Sequence, residues 1–139
     1  MKTQTRSIVY ACLALLCLLS LLGCSANNRS LSAKEKESLS AIWSNAGNEP
    51  LVWLDDNGEY GAVYYGKYAD CHILMVQEPP VVVTVMFHEY VAGRKFDCSR
   101  PFALYAIRDD QVYSLKDAYE QGLLTDEHIQ EIHEFHTSR

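Results

Sequence analysis

The pattern of apolar and polar positions changes character along the chain, and each change predicts an element. Residues 8–22 are an apolar block broken only by Ser20, preceded by Lys2 and Arg6 with no acidic residue. That block is shorter than the roughly 20 residues a permanent membrane-spanning helix needs, and it suits the apolar core of an export signal. Residues 24–31 are small and polar and read as a flexible tether. Leu39, Ile42 and Trp43 then recur at helical spacing among Lys34, Lys36 and Glu37, which predicts an amphipathic helix over 33–45. Ser32 supplies its N-cap, Glu35 the capping-box partner, and Gly47 lies just past its end.

After Pro50 the period becomes that of strands. Residues 51–54 form a short apolar strand, and Asp55-Asp56-Asn57-Gly58 is a turn signal. Residues 60–68 follow as a strand in which Gly61 and Gly66 mark a bulge or a close backbone approach. Ala69-Asp70 reverses the chain into a strand over 71–77, and Glu78-Pro79-Pro80 stops it, because proline cannot donate to a ladder. Residues 81–90 carry the strongest β pattern, with Val81, Val83, Val85 and Phe87 expected to face the core and Val82, Thr84, Met86 and His88 to face away. A hairpin at Ala92-Gly93-Arg94 leads to residues 95–98, and a further strand spans 102–108. A turn at Asp109-Asp110-Gln111 leads to a brief strand at Val112-Tyr113.

The chain then returns to helix. Ser114 caps residues 115–121, which Gly122 stops, and Thr125 caps residues 126–136 with the stripe Ile129, Ile132 and Phe135. The expectation is an α+β domain: an N-terminal helix, an antiparallel sheet of five to six strands and two short C-terminal helices. It occupies residues 32–139 as a single domain, after a signal over 1–23 and the tether over 24–31.

The boundary at residue 23 has its own chemistry. Leu21-Leu22-Gly23-Cys24 resembles the bacterial lipobox. That resemblance implies that the Cys24 thiol receives diacylglycerol and that the signal is cut before it, leaving a lipid-anchored protein, palmitate-type chains included, on the extracytoplasmic face of the cell membrane. Two or more acyl chains give stable anchoring. Removing Lys2 and Arg6 makes the net charge more negative than the −6 of the whole chain. Such a surface repels phosphate backbones, which argues against nucleic-acid binding, and nothing in the pattern asks for more than a monomer.

Three further segments carry a wider resemblance: Tyr64-Tyr65-Gly66-Lys67-Tyr68-Ala69-Asp70-Cys71, Val91-Ala92-Gly93-Arg94-Lys95-Phe96, and 113–125 with Ser114, Leu115, Ala118, Gly122 and Leu124. Together they resemble small secreted or lipid-anchored proteins of Gram-positive bacteria, mainly Firmicutes. The resemblance spans roughly residues 50–135, implies one extracytoplasmic α+β domain, and brings no catalytic residue with it.

With Cys12 and Cys17 in the signal and Cys24 lipidated, Cys71 and Cys98 remain as an even pair. In an exported domain they read as a disulfide, worth about 3–4 kcal/mol from loop closure, or else as two separate buried thiols. No catalytic constellation emerges, so the domain is read as non-enzymatic, without cofactor or metal. Trp53, Tyr60, Tyr64 and Tyr68 are the candidate binding surface for an envelope protein or cell-wall glycan, with core packing as the alternative use of these rings. The other functional reading is a metal-binding protein or metal-dependent enzyme built on His128, His133 and His136 of the last helix. Those histidines are otherwise solvated residues near a fraying end.

Overall fold

The computed structural model describes Tyr10 and residues 29–54, 60–82 and 85–139. The export signal, Cys24, the Asp55–Gly58 turn, and Val83 and Thr84 lie outside the described residues. Among the described residues no helix is long and apolar enough to cross a membrane.

The expected α+β order is present. Helix α1 (Ala33–Asn45) opens with the Ser32–Glu35 capping box, both hydrogen bonds made, and buries Leu39 and Trp43. Strands β1 (Gly61–Tyr68), β2 (Cys71–Gln77), β3 (Phe87–Val91), β4 (Arg94–Cys98), β5 (Phe102–Arg108) and β6 (Gln111–Ser114) follow, then helices α2 (Leu115–Glu120) and α3 (Asp126–Thr137). The strands form a four-stranded sheet in the order β1-β2-β5-β6 and a separate β3-β4 hairpin inserted between β2 and β5, with all strand pairs antiparallel.

Each tight reversal uses two residues with positive φ: Ala69 and Asp70, Ala92 and Gly93, Asp109 and Asp110. This is the hairpin geometry whose twist matches the flanking strands. Gly66 sits at a bulge where the β1–β2 register shifts, so that Tyr64 opposes Leu74 and Gly66 opposes Ile73. The extra residue, Tyr65, turns to the same side of the sheet as Tyr68. Gly61 answers to close approach, because a Cβ there would collide with the Val52 carbonyl oxygen. The expected strand at 51–54 is reduced to one parallel bridge, Trp53 to Ala62, with Leu54 N–H and Ala62 N–H bonding across it.

The sheet is covered on both faces. Tyr65, Ile73, Met75 and Leu104 pack with Phe96 of the hairpin and with Leu115, Ile129 and Ile132 of α2 and α3. On the other face Leu74 and Ile107 pack under Leu39 and Trp43 of α1, and Trp43 meets Tyr105 edge-on with ring centroids 4.7 Å apart.

One expected strand is largely lost. Among the described residues pairing begins only at Phe87, and Val81 and Val85 are exposed instead of facing the core, while Val82 and Met86, expected to face away, are exposed as well. The cause is the partner: β4 offers only Arg94–Cys98, which the register uses up against Phe87–Val91. Beyond Cys98 the chain bends toward Pro101, and β-branched residues without a ladder partner do not make a strand.

Two substitutions test these backbone assignments. Gly61→Ala is expected to lower stability by about 3 kcal/mol, from collision and positive φ together. Ala92→Asn, which suits the left-handed position better than alanine, is expected to raise it by about 0.5–1 kcal/mol. Urea unfolding of each variant beside the parent reads both.

Candidate functional site

The two hairpin turns of the main sheet meet at one end of it. Antiparallel pairing sets His72, at the start of β2, opposite Ile107 near the end of β5. The Ala69-Asp70 and Asp109-Asp110 turns therefore lie side by side, and α1 crosses the sheet above them. Between them is a cleft of about 470 Å³. Leu31, Leu39, Ile42 and Ile107 give it an apolar floor, while Glu35, Lys67, Asp70, Arg108, Asp109 and Asp110 give it a charged rim.

Tyr64 and His72 form the cleft's polar centre. The Tyr64 hydroxyl is 2.8 Å from His72 Nδ1, and the rings lie 5.8 Å apart. Burial lowers the His72 pKa, Lys67 lowers it further and Glu35 opposes the fall, so the imidazole is neutral at neutral pH. Burial pushes Tyr64 up to about 12, with Glu35 and Tyr68 adding to the shift, so the phenol keeps its proton. Glu35 is held below the usual carboxylate range by its hydrogen bonds from Ser32. Lys67 lies 3.9 Å from Asp70, and Arg108 lies 3.4 Å from Asp109. The Lys67–Asp70 pair is exposed and weak, and Asp109 is exposed against a half-buried Arg108, so a ligand could reorganise the acidic side of the rim at little cost. The arrangement offers neutral donors and acceptors at its centre and charges of both signs at its edge.

The candidate aromatic surface is divided. Trp53 is half-buried and donates its indole N–H to Ser40 Oγ at 3.0 Å, while Tyr60 is exposed. Tyr64 lines the cleft on the α1 side. Tyr68 is buried on the opposite side, where its hydroxyl accepts a hydrogen bond from Arg29 at 3.3 Å. The bulge at Gly66 separates Tyr64 from Tyr68, which a regular strand would have placed together.

The Cys71–Cys98 disulfide is absent: both residues are free thiols, Cys71 buried and Cys98 half-buried. Cys71 begins β2, whereas the Gln77 amide at the other end of β2 donates to Cys98 Sγ at 3.2 Å. The length of β2 therefore separates the sulfurs by on the order of 15–20 Å, far beyond the roughly 7 Å Cα limit for a bridge. Cys71 and His72 do point to opposite faces, one into the core and one into the cleft.

The histidines of α3 are fasteners. His128 Nδ1 accepts the Thr125 N–H as the helix's reciprocal cap. His133 Nε2 donates to the Lys95 carbonyl at 2.8 Å, and His136 Nε2 donates to the Asp97 carbonyl. Because a carbonyl only accepts, the proton of neutral His136 is on Nε2, and its Nδ1 accepts the Tyr65 hydroxyl at 2.7 Å. The ring also stacks on Phe102 at 5.5 Å. Far from lying solvated at a fraying end, His133 and His136 tie the helix to β4. Among the described residues, no group of three or more histidine, cysteine or acidic side chains is arranged to hold a metal ion.

The sequence reading missed Glu35, Lys67, Asp70, His72, Arg108, Asp109 and Asp110 as one constellation. The available signal was the pair of Asp-bearing turns, which become neighbours once β2 is paired antiparallel with β5. Comparison with protein-family models, curated proteins and solved structures finds no match, so the function is argued from this geometry.

Burial lowers the pKa of His136, with the Asp97 hydrogen bond opposing, and burial lowers that of His72 as well. Groups depressed in the folded state bind protons more readily when unfolded, so their contribution is complete above the ordinary histidine pKa of about 6.5. It is lost as pH falls through the depressed values. The urea midpoint should therefore fall on acidification below neutral pH. His136→Leu should flatten part of that slope, leaving the share due to His72, and should cost about 2–3 kcal/mol at pH 8 by orphaning the Asp97 carbonyl.

Proposed function

We propose that this chain is an exported lipoprotein, held on the extracytoplasmic face of the cell membrane by diacylglycerol on Cys24. Its domain serves as a non-enzymatic binding module for a component of the cell envelope. The observation that carries the binding part is the cleft around Tyr64 and His72, whose apolar floor and two-signed rim are laid out for a small polar ligand. Its volume of about 470 Å³ falls in the range of small-molecule sites. A wall glycan fragment fits this chemistry. Its hydroxyls pair with carboxylates and with the Tyr64–His72 pair, its amine or peptide termini with the rim charges, and the apolar face of a sugar ring with Tyr64, Leu39 and Ile42. The lipid anchor supports the same reading, because it would hold such a module beside the wall.

The two parts are tested separately. Intact mass of the protein from the membrane fraction should show the signal removed and diacylglycerol on Cys24, and Cys24→Ala should abolish both. Calorimetric titration with soluble wall glycan fragments should show binding that Tyr64→Ala or His72→Ala weakens about tenfold, equivalent to about 1.4 kcal/mol. Absence of binding to any such fragment by the lipidated protein would overturn the glycan assignment while leaving the anchor in place.

A further inference from the structure

We propose that residues 29–31 form a latched strap that completes one wall of the ligand cleft, with Arg29 as the latch, so that the cleft is closed only while the chain is held against the domain at this point. The inference deepens the binding-module reading above and rests on it; it does not need the lipid on Cys24.

The strap is short and held at both ends. At one end Ser32 is fixed by the capping box of α1, its backbone N–H donating to the Glu35 carboxylate at 2.7 Å. At the other the Arg29 guanidinium lies 4.0 Å from the centroid of the Phe135 ring and donates to the Tyr68 hydroxyl at 3.3 Å. A planar guanidinium can rest on an aromatic face and donate in its own plane at once, which makes one side chain a two-point fastener. Phe135 and Tyr68 belong to the core on the α2–α3 side of the sheet, whereas Leu31 belongs with Tyr64, Leu39 and Ile42 to the core on the α1 side. Between Arg29 and Leu31 the chain thus passes from one face to the other at β1, the outermost strand.

This crossing makes the strap part of the site. Ser30 and Leu31 line the cleft together with Tyr64 and His72. With Arg29 they also line a neighbouring groove of about 390 Å³, against Trp53, Leu54 and Val63. Ser30, Leu31 and Tyr64 are common to both cavities, so the strap is the partition between them. With the strap displaced, the cleft opens sideways into the groove and water reaches Tyr64 and His72, the pair whose burial keeps both rings neutral. Arg29 lines the groove and not the cleft. It acts on a ligand through the strap and is therefore a positioning residue. The coupling is reciprocal: a strap that favours the ligand is itself held in place by the ligand.

The test uses the whole protein as isolated from cells, with a soluble disaccharide-peptide fragment of the bacterial cell wall as the probe. Trypsin can cut after Arg29 only when the guanidinium has left Phe135 and Tyr68, so the appearance of the fragment that begins at Ser30, followed by mass, reads the unlatched population. The probe should slow this cut about fivefold. Tyr68→Phe, which removes only the hydroxyl that holds Arg29, should speed the cut and weaken probe binding by a like factor. Arg29→Ala should weaken binding as well. Without any probe, Arg29→Ala should also raise the His72 titration, read by imidazole proton NMR, toward the ordinary value of about 6.5, while His136 on the far face keeps its own. An Arg29 that only stabilised the fold would lower the unfolding midpoint while moving neither the His72 titration nor the probe affinity, and that result would overturn the strap. Probe binding that leaves the cut after Arg29 unchanged would overturn it too. A probe that fails to bind the parent overturns the glycan reading alone, and the strap then stands or falls on the His72 titration.

Discussion

Because β2 is paired on both edges and covered on both faces, every other element is placed by what it must cover. Ile73 and Met75 point one way and Leu74 the other, and all three are fully buried. Each such side chain contributes roughly 1.5–3 kcal/mol when withdrawn from water. That contribution requires two separate lids, and neither can be dispensed with. Helix α1 closes the Leu74 face; α2, α3 and the β3-β4 hairpin close the other. The bulge at Gly66 follows from the same demand. By inserting Tyr65 it brings a second tyrosine to the face that needs more bulk, and Tyr65 meets Phe135 edge-on at 4.9 Å.

A two-lid design leaves strand edges to be managed. At the start of β1, residues 52–54 lie along the edge through one bridge and two backbone hydrogen bonds. On β4 the device differs: two histidine N–H groups, three positions apart on α3, satisfy carbonyls two positions apart on the strand. The helical rise over three residues is about 4.5 Å and the strand rise over two is about 6.6 Å, a mismatch that long imidazole side chains can absorb. Histidine suits the task because its neutral ring donates from one nitrogen and accepts at the other, so His136 also takes the Tyr65 hydroxyl. The arrangement makes the attachment of α3 dependent on the neutral form of a titratable group.

Local signals were legible where a residue acts through its immediate neighbours. The capping box at Ser32 and Glu35, the places of the three chain reversals, and the structural roles of Gly61 and Gly66 could all be read from type and spacing. The apolar stripe of α3 was likewise legible, with Ile129 and Ile132 fully buried. The failures share a cause, which is dependence on a distant partner. Whether residues 81–90 pair along their whole length depends on the length of β4, and whether Cys71 meets Cys98 depends on where the inserted hairpin sits relative to β2. His136 looked like a surface residue because its partners, Tyr65 and Asp97, are 71 and 39 positions away.

The cleft shows why chemistry in a small sheet gathers at turns. Two-residue turns with positive φ favour Asp for local reasons, since its short side chain tolerates the left-handed conformation. Each turn taken alone is therefore only architecture. Antiparallel pairing of β2 with β5 sets two of them side by side, and Tyr64 and His72 come with them because β1 and β2 are one hairpin. Carboxylates that each served to reverse the chain become a shared rim around a neutral imidazole–phenol pair. The same pairing fixes the other pole: if one end of the sheet collects its turns, the other must collect the entry to β1 and the exit from β2, where the uncharged 79–87 run departs.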